Sequence, residues 1–586
     1  MRNSLEDLHI LALDCQTTGA NPDNGHLLEI GWVKASASTL EKPEDLQPLA
    51  YLAKLPAKDE IPRTVERITG ISGEDLIVAY KPKKIWHKLA KVSQDVTTGN
   101  HSDRCPTVIH FSRFEEPFLR DLHQKWHAPY AFPFQLICTH EITKRLFPDL
   151  PRRGLRAIAG YFGHSMPELR RSADHALATA IIWKKLVALL KYEANILTLE
   201  QLVKWMKTSL PRARTRRSYP MDTEIRRNLP DQPGVYRMLR ANGDVLYIGK
   251  AKSLKKRVNS YFRQTGSPGE HILEMLTQAY QLDFTVTGSA LEAALQETDK
   301  IKRQSPPYNV ALRKRQRNLV FCNRDLQHFA QKADGDHPIG PLPSGSLNDA
   351  MTTFATLINA KTSTNPAQLE KIADTLLGIS SEYIPEKDCL HDGVEIFRQR
   401  HCSVLQRGHP FRILTGLGAR LWHEHFKRQE LEATEESDTA ETEAPQTENN
   451  PQVWAPEDVA NLIESVIRRA AHLIRRSRWF CMLSEASLAW TSPAAGEHDK
   501  ILLSLKNGGV VNREKLGVDE ATPVPSGHDT PADLRKQNID LMTYDRLRVL
   551  TTELRRLVAE DRNTELRLRP RAMLRNLELK KVLRWV

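Results

Sequence analysis

Residues 233–262 read PGVYRMLRANGDVLYIGKAKSLKKRVNSYF. Two short apolar runs, Val235–Leu239 and Val245–Ile248, flank Asn242-Gly243. That dipeptide tolerates the positive φ angles of a two-residue turn, so the stretch predicts a β-hairpin. With Asn242-Gly243 at the turn centre, Tyr247 sits opposite Met238. Tyr236, two residues from Met238, shares its face, so both tyrosines project from one surface. Ser253 suits the N-cap of a following helix in which Leu254, Val258, Tyr261 and Phe262 recur at helical spacing. Arg257 and Tyr261 are four apart and therefore neighbours on that helix.

A second helix is predicted from Ser289, with Glu292 completing a capping box. Leu291, Ala294, Leu295 and Ile301 form its apolar stripe, and Glu297 lies at the stripe's edge. A carboxylate there is half withdrawn from water, which suits a ligand for a hard cation. The helix ends before Pro306-Pro307, and Tyr308-Asn309 follow.

Gly234-Val235-Tyr236, Tyr247-Ile248-Gly249, Lys250-Ala251-Lys252, Arg257, Tyr261-Phe262, Glu292 to Glu297 and Pro307-Tyr308-Asn309 together resemble the GIY-YIG nuclease domain. The version is that of UvrC- and Cho-type incision nucleases of bacterial nucleotide excision repair. The resemblance implies a small antiparallel sheet flanked by helices and metal-dependent hydrolysis of a DNA phosphodiester. One divalent ion, Mg²⁺ or Mn²⁺, would sit on Glu297, Tyr247 would activate the attacking water, and Arg257 would stabilise charge at the phosphate. Tyr236, Tyr261, Lys250 and Asn309 would complete the site.

Those residue types suit the chemistry. A phosphodiester under attack gathers negative charge, where a guanidinium and a metal act most strongly. A tyrosine is a weak base at its ordinary pKa of about 10, so a nearby cation must lower it. The alternative is a buried aromatic hairpin beside a solvated basic helix.

At 586 residues the chain is too long for one core and implies several domains. Lysine and arginine exceed aspartate and glutamate by 84 − 72 = 12, the electrostatic footprint of a polyanionic partner such as DNA. Lys252, Lys255 and Lys256 beside Tyr261 and Phe262 form the candidate DNA surface. The sequence has no eighteen-residue apolar run and no apolar signal core at MRNSLEDLHI, so no membrane association is expected. Seven cysteines without a CxxC pair suit a reducing cytoplasm, and a location at the nucleoid follows from the DNA reading.

Residues 1–200 open with LHILALDCQTTG, an apolar strand ending at Asp14, and Leu27–Val33 reads as its hairpin partner. With VIHFSRFEEPFL and RRSADHALATAIIWKKL further on, this order resembles the DnaQ-like (DEDD) 3′–5′ exonuclease domain, of the ribonuclease H-like fold. The family holds two metal ions on four carboxylates and uses a histidine base. Asp14 matches its first aspartate, but Gln16 stands where glutamate is expected and Glu115 replaces the second-motif aspartate. His175 occupies the third-motif aspartate position, Asp174 is displaced by one, and Arg170 stands where the histidine belongs. A glutamine amide carries no charge, and arginine repels cations. A displaced Asp174 points about 100° away on a helix. The fold is then either kept for packing and DNA handling, or rebuilt into another site by Asp14, Glu115, Asp174 and His175.

Residues 201–226 form a basic linker centred on Pro211–Arg217, ahead of the GIY-YIG domain at 227–312. The region 313–428 resembles the segment that follows the nuclease in UvrC and Cho. Relatives then carry four cysteines proposed to hold an iron–sulfur cluster, whereas here only Cys389 and Cys402 remain, with Pro410 and Leu414 at the other two positions. Two thiolates cannot hold a cubane cluster in the usual way, so none is expected. Cys389, His391, His401 and Cys402 have poor spacings for one tetrahedral zinc.

Residues 429–453 are acidic and poor in apolar residues, the composition of a disordered linker. A basic α/β, mostly helical C-terminal domain is expected over 454–586, with arginines Arg468, Arg469, Arg475 and Arg476 along one helix and a second helix at Tyr544–Glu560. The second nuclease half of full-length UvrC has no match, which points to a single incision. UvrA–UvrB-type damage-recognition proteins are the partners the resemblance implies. Two other readings stand beside the endonuclease: 3′–5′ trimming by the N-terminal domain, and a DNA-binding scaffold with dormant nuclease folds.

Overall fold

A computed structural model describes residues 4–40, 45–127, 129–164, 170–211, 217–263, 268–310, 318–359, 387–405, 408–436, 455–491, 499–517, 519–525, 539–568 and 572–586. Two compact units emerge: Met1–Gly288 with Gln304–Val310, and Ser289–Arg303 with Ala311–Val586.

In the first unit, strands β1 (Ile10–Thr17), β2 (Leu27–Ala35), β3 (Leu49–Leu52), β4 (Cys105–Ile109) and β5 (Phe134–Cys138) form one sheet in the order β3-β2-β1-β4-β5. β2 runs antiparallel to both of its neighbours, β1 and β3, whereas β4 and β5 run parallel to β1. Ile10–Leu13 of β1 is a continuous apolar run because both faces of the strand are covered there. Ile10 and Ala12 enter a core with Ile182, Trp183 and Leu186 of helix α2 (Ser172–Ala194), while Leu11 and Leu13 face Trp86 and Leu119. Leu119 belongs to helix α1 (Ser112–His127). This period-two division fixes which face each β1 side chain takes, and the topology is the expected ribonuclease H-like one.

The same unit contains β6 (Gly234–Leu239), β7 (Val245–Ala251) and β8 (Gln281–Val286), antiparallel in the order β7-β6-β8, and helix α3 (Leu254–Ser260). The predicted two-residue turn is corrected to three residues. Gly243 N–H donates to the Arg240 carbonyl at 3.0 Å, Arg240 N–H donates to Asp244 at 2.9 Å, and of the loop only Gly243 has positive φ, +88°. This is a type I turn closed by a left-handed glycine. A register shift after Met238 absorbs the extra residue, so Tyr247 still pairs with Met238 and Tyr236 with Gly249. The two expected domains of this unit are not simply strung on a linker. Arg152 N–H donates to Thr277 Oγ1 at 3.2 Å, Tyr280 Oη to the Tyr161 carbonyl at 3.0 Å, and Asn242 Nδ2 to the Gly163 carbonyl at 3.2 Å. The centre of the basic linker, residues 212–216, lies outside the described residues.

The second unit begins with helix α4 (Ala290–Gln304), which the sequence places inside the 227–312 domain. A small sheet of β9 (Leu319–Cys322), β10 (Phe329–Ala330) and β11 (Ile339–Pro343) precedes helices α5 (Lys387–Leu405), α6 (Pro410–Glu436) and α7 (Pro456–Leu483). A five-stranded antiparallel sheet follows, β12 (Ala486–Thr491), β13 (Asp499–Lys506), β14 (Gly509–Gly517), β15 (Glu565–Leu568) and β16 (Met573–Arg575), with helices α8 (Leu541–Glu560) and α9 (Asn576–Arg584). Two expectations change here. Residues 429–436 are the end of α6 rather than linker, and residues 437–454 lie outside the described residues. The boundary at 454 does not separate two cores, because α7 serves both. Its Val459, Ile467 and Ile474 pack with Leu390, Val394 and Leu417, whereas Trp479, Phe480 and Leu483 pack against Leu488, Leu503 and Leu566.

Candidate active site

Three tyrosines and one arginine converge on the face of β6, β7 and α3. Tyr236 is fully buried, its hydroxyl 2.9 Å from that of Tyr261. Arg257 donates from Nη2 to Tyr261 Oη at 3.1 Å, with its guanidinium 4.9 Å over the same ring. The Tyr247 ring lies 6.2 Å from Tyr236 and 6.3 Å from Tyr261. Gly249 makes this grouping possible, since a Cβ there would fall 2.4 Å from Tyr236 Oη. Burial above all, then Tyr261 and Tyr247, pushes the Tyr236 hydroxyl well above its ordinary value, so it stays protonated. Burial works against the charge of Arg257, but the tyrosine oxygens around it outweigh burial and raise its pKa.

The remaining expected residues frame this cluster. Ser253 caps α3 by accepting from Lys256 N–H at 3.2 Å. Asn309 is buried and holds β7 by its backbone: Oδ1 accepts from Ile248 N–H at 2.9 Å and Nδ2 donates to the Ile248 carbonyl at 2.8 Å. It therefore fixes the residue next to Tyr247. Lys250 is half-buried on β7, and Lys252, Lys255 and Lys256 are exposed, with Lys256 3.6 Å from Asp231.

Glu297 is half-buried on α4, in the second unit. The predicted cap is present, with Glu292 N–H donating to Ser289 Oγ at 3.2 Å. Leu291 and Leu295 enter the core around Trp479, Leu488 and Leu547. Arg546 reaches Asp299 through Nη2 at 2.9 Å, Lys302 pairs with Asp545 at 2.5 Å with both largely buried, and Arg513 lies 3.4 Å from Glu292. Sequence reading missed Asp545 and Arg546; their only trace is an acid next to an arginine on an amphipathic helix. Among the described residues no three His, Cys, Asp or Glu side chains gather to hold an ion. One carboxylate fits Mg²⁺, which keeps several waters and takes substrate phosphate oxygens.

At the exonuclease-type site, Asp14, Gln16 and His175 come together. Gln16 Nε2 donates to Asp14 Oδ2 at 3.1 Å, and His175 Nδ1 lies 3.2 Å from the same oxygen. His175, not Asp174, thus faces Asp14, as a one-residue displacement on a helix requires. Glu115 is buried, and burial followed by the charge of Asp14 pushes it up to about 9, so it is protonated. Burial likewise raises Asp14 despite His175. Glu29 went unnoticed in the sequence, where a lone acid in the apolar LLEIGWV was its signal. Fully buried, it accepts from Arg171 Nε and from Ser172 N–H and Oγ, each at 2.8 Å, pinning the start of the helix that bears His175. Arg170 is exposed.

Cys389 and Cys402 both lie on α5, thirteen residues apart, so about 20 Å of helix separates them. They cannot share one ion. His401 is instead engaged by Glu464 at 3.0 Å and Arg420 at 2.7 Å, and His391 is exposed.

Residues 232–310 match the model of the UvrC-like GIY-YIG domain, and residues 11–180 match that of the Exonuclease family. The UvrABC system protein C of Idiomarina loihiensis is 42% identical over 132 residues, 20% of this chain and 20% of that protein. Its counterpart in Aliivibrio fischeri is 48% identical over 133 residues, 21% and 22% of the two chains. The magnesium-bound GIY-YIG N-terminal endonuclease domain of UvrC from Thermotoga maritima is 33% identical, is covered in full by 15% of this chain, and has a TM-score of 0.14. The nuclease domain of 3′hExo, a DEDDh family member bound to rAMP, is 14% identical over 32% of this chain and 95% of its own, with a TM-score of 0.26. The chain spans about a fifth of the length of the curated relatives it matches.

Proposed function

We propose that this chain, which carries a UvrC-like GIY-YIG domain and an exonuclease-type domain, is a metal-dependent DNA endonuclease of the excision-repair incision type. The observation that carries the reading is the hydroxyl–guanidinium cluster of Tyr236, Tyr247, Tyr261 and Arg257, set over Gly249 within residues 232–310, which match the UvrC-like GIY-YIG domain.

In this reading Tyr247 takes a proton from the attacking water as oxygen bonds to phosphorus, and the P–O bond to the leaving strand breaks. Arg257 faces the charge that builds on the phosphate oxygens, where a preformed guanidinium acts most strongly. Tyr236, kept protonated by burial, and Tyr261 hold Arg257 from behind, while Asn309 fixes the strand that bears Tyr247. Glu297 would hold the divalent cation, Mg²⁺ or Mn²⁺, whose charge lowers the pKa of nearby groups and stabilises the leaving oxygen. Lys250, Lys252, Lys255 and Lys256 line the approach of the backbone.

UvrA–UvrB-type proteins would load the substrate, and the place of action would be the cytoplasm at the nucleoid. No described helix is long and apolar enough to cross a membrane. Trimming by the N-terminal domain is disfavoured by the residues beside Asp14, where the amide of Gln16 and the ring of His175 stand in place of carboxylates.

The test is nicking of supercoiled and lesion-bearing plasmid with Mg²⁺, Mn²⁺ or EDTA, with and without damage-recognition proteins. Tyr247→Phe should lower the rate by roughly a hundredfold or more, the scale of a lost general base, and Glu297→Gln should lower it as well by removing the carboxylate that would hold the cation. Metal-dependent nicking that survives both substitutions would refute the assignment.

A further inference from the structure

The second unit also holds a cavity of about 80 Å³ between α6 and α7, lined in addition by Trp585. This is several times the roughly 10–15 Å³ that admits one water. The cavity arises from local packing. A Cβ on Gly418 would fall 2.2 Å from that of Ala471, so the two helices meet at that point. Long side chains on either side must stand away from the contact. On α7 these are Arg468, His472, Arg475 and Arg478, all on one helical face.

The lining is basic and aromatic. Trp422 stacks on His472 with ring centroids 4.8 Å apart and planes 10° from parallel, and the Arg475 guanidinium lies 5.0 Å over Trp585. The Trp422 indole N–H is buried with no acceptor among the described residues. No aspartate or glutamate lines the cavity among the described residues. Glu464, whose charge reaches Arg468, is itself engaged by His401 at 3.0 Å and Arg400 at 3.3 Å. Burial and the neighbouring Arg469 work against the charge of Arg468. Arg468 is half-buried whereas Arg475 and Arg478 are exposed, so the recess presents one partly desolvated guanidinium and two solvated ones to an entering anion, which can accept hydrogen bonds from their forks.

We propose that this cavity receives a terminal phosphate monoester of a DNA strand. A monoester dianion presents three terminal oxygens, which guanidinium forks match by paired hydrogen bonds. A backbone diester presents two and is tethered on both sides, which suits an open groove better than a recess. Hydrolysis of a phosphodiester leaves one such end at every cut, so the pocket would hold a product end or a pre-existing break. That the strand is DNA rests on the endonuclease reading. The phosphate chemistry does not, and inorganic phosphate shares it.

The experiment is fluorescence anisotropy in EDTA, where metal-dependent cutting is silent, with single-stranded oligonucleotides bearing a 5′-phosphate, a 3′-phosphate or hydroxyls at both ends. The whole chain should bind one phosphorylated end about ten- to a hundredfold more tightly than the hydroxyl form, the scale of one or two charge-assisted hydrogen bonds. Arg468→Gln/Arg475→Gln should abolish the preference. Arg475→Lys, which keeps charge but not the fork, should retain part of it. Glu297→Gln should leave it intact, so nicking and end preference can fail separately. Equal affinity for phosphorylated and hydroxyl ends, or a preference undiminished in the double variant, would overturn the proposal. Inorganic phosphate binding the wild type while all ends bind alike would remove the strand as ligand.

Discussion

Single residues here do work that their chemical type alone does not announce. Gly249 is one: the glycine of the second motif is needed because the Tyr236 hydroxyl occupies the space of a side chain. Gly249→Ala should destabilise the first unit by about 1–3 kcal/mol, the scale of an overpacked core, and reduce nicking as the tyrosines shift. Thermal unfolding beside the plasmid assay measures both, and unchanged values would show that the ring can move freely. Glu115 gives a pH signature. Its folded-state pKa, about 9, lies above the ordinary value of 4.5, so the folded chain holds a proton that the unfolded chain loses. Its contribution to stability is present below about pH 4.5 and declines as pH rises toward 9. The melting temperature of Glu115→Gln in EDTA should therefore gain on wild type between pH 5 and pH 9. A constant gap would contradict the burial argument. Neither effect was legible in the sequence. Gly249 was read as motif, and Glu115 as a substituted ligand, because the space and the dielectric around them come from residues distant in the chain.

Among the elements, the hairpin was the most legible. Its apolar runs and Asn242-Gly243 gave strands and register, and only the extra turn residue escaped, because a bulge restores the pairing. Helix α4 was legible on one side only. Its cap and stripe were readable, but Asp299 and Lys302 gave no sign of Arg546 and Asp545, some 245 residues away. Of these pairs Lys302–Asp545 is the buried one, so Lys302→Met alone should cost about 3–5 kcal/mol by stranding Asp545. Adding Asp545→Leu should recover most of that loss. Denaturant titration of the two variants and their parent tests it. Losses that simply add would mean the ion pair carries no coupling.

For the whole molecule, charge was the most readable property and domain division the least. A net charge of +12 predicts DNA binding that weakens steeply with salt. Replacing Lys252, Lys255 and Lys256 together by alanine should flatten the slope of log affinity against log salt by up to about 3. Titration at several salt concentrations reads this directly, and an unchanged slope would place the backbone elsewhere. The domain boundaries failed to show because composition marks where charge or proline changes, whereas cores are defined by what packs together. α7 spans two cores without any compositional break, and α4 sits within the matched 232–310 stretch yet shares a core with strands beyond residue 485. For anyone recombining genes this moves the seams. Residues 227–312 are not an interchangeable cassette, because Leu291, Leu295, Asp299 and Lys302 would arrive in a new host facing surfaces never matched to them. A chimera that keeps 289–303 together with the C-terminal half respects the joints this polypeptide has.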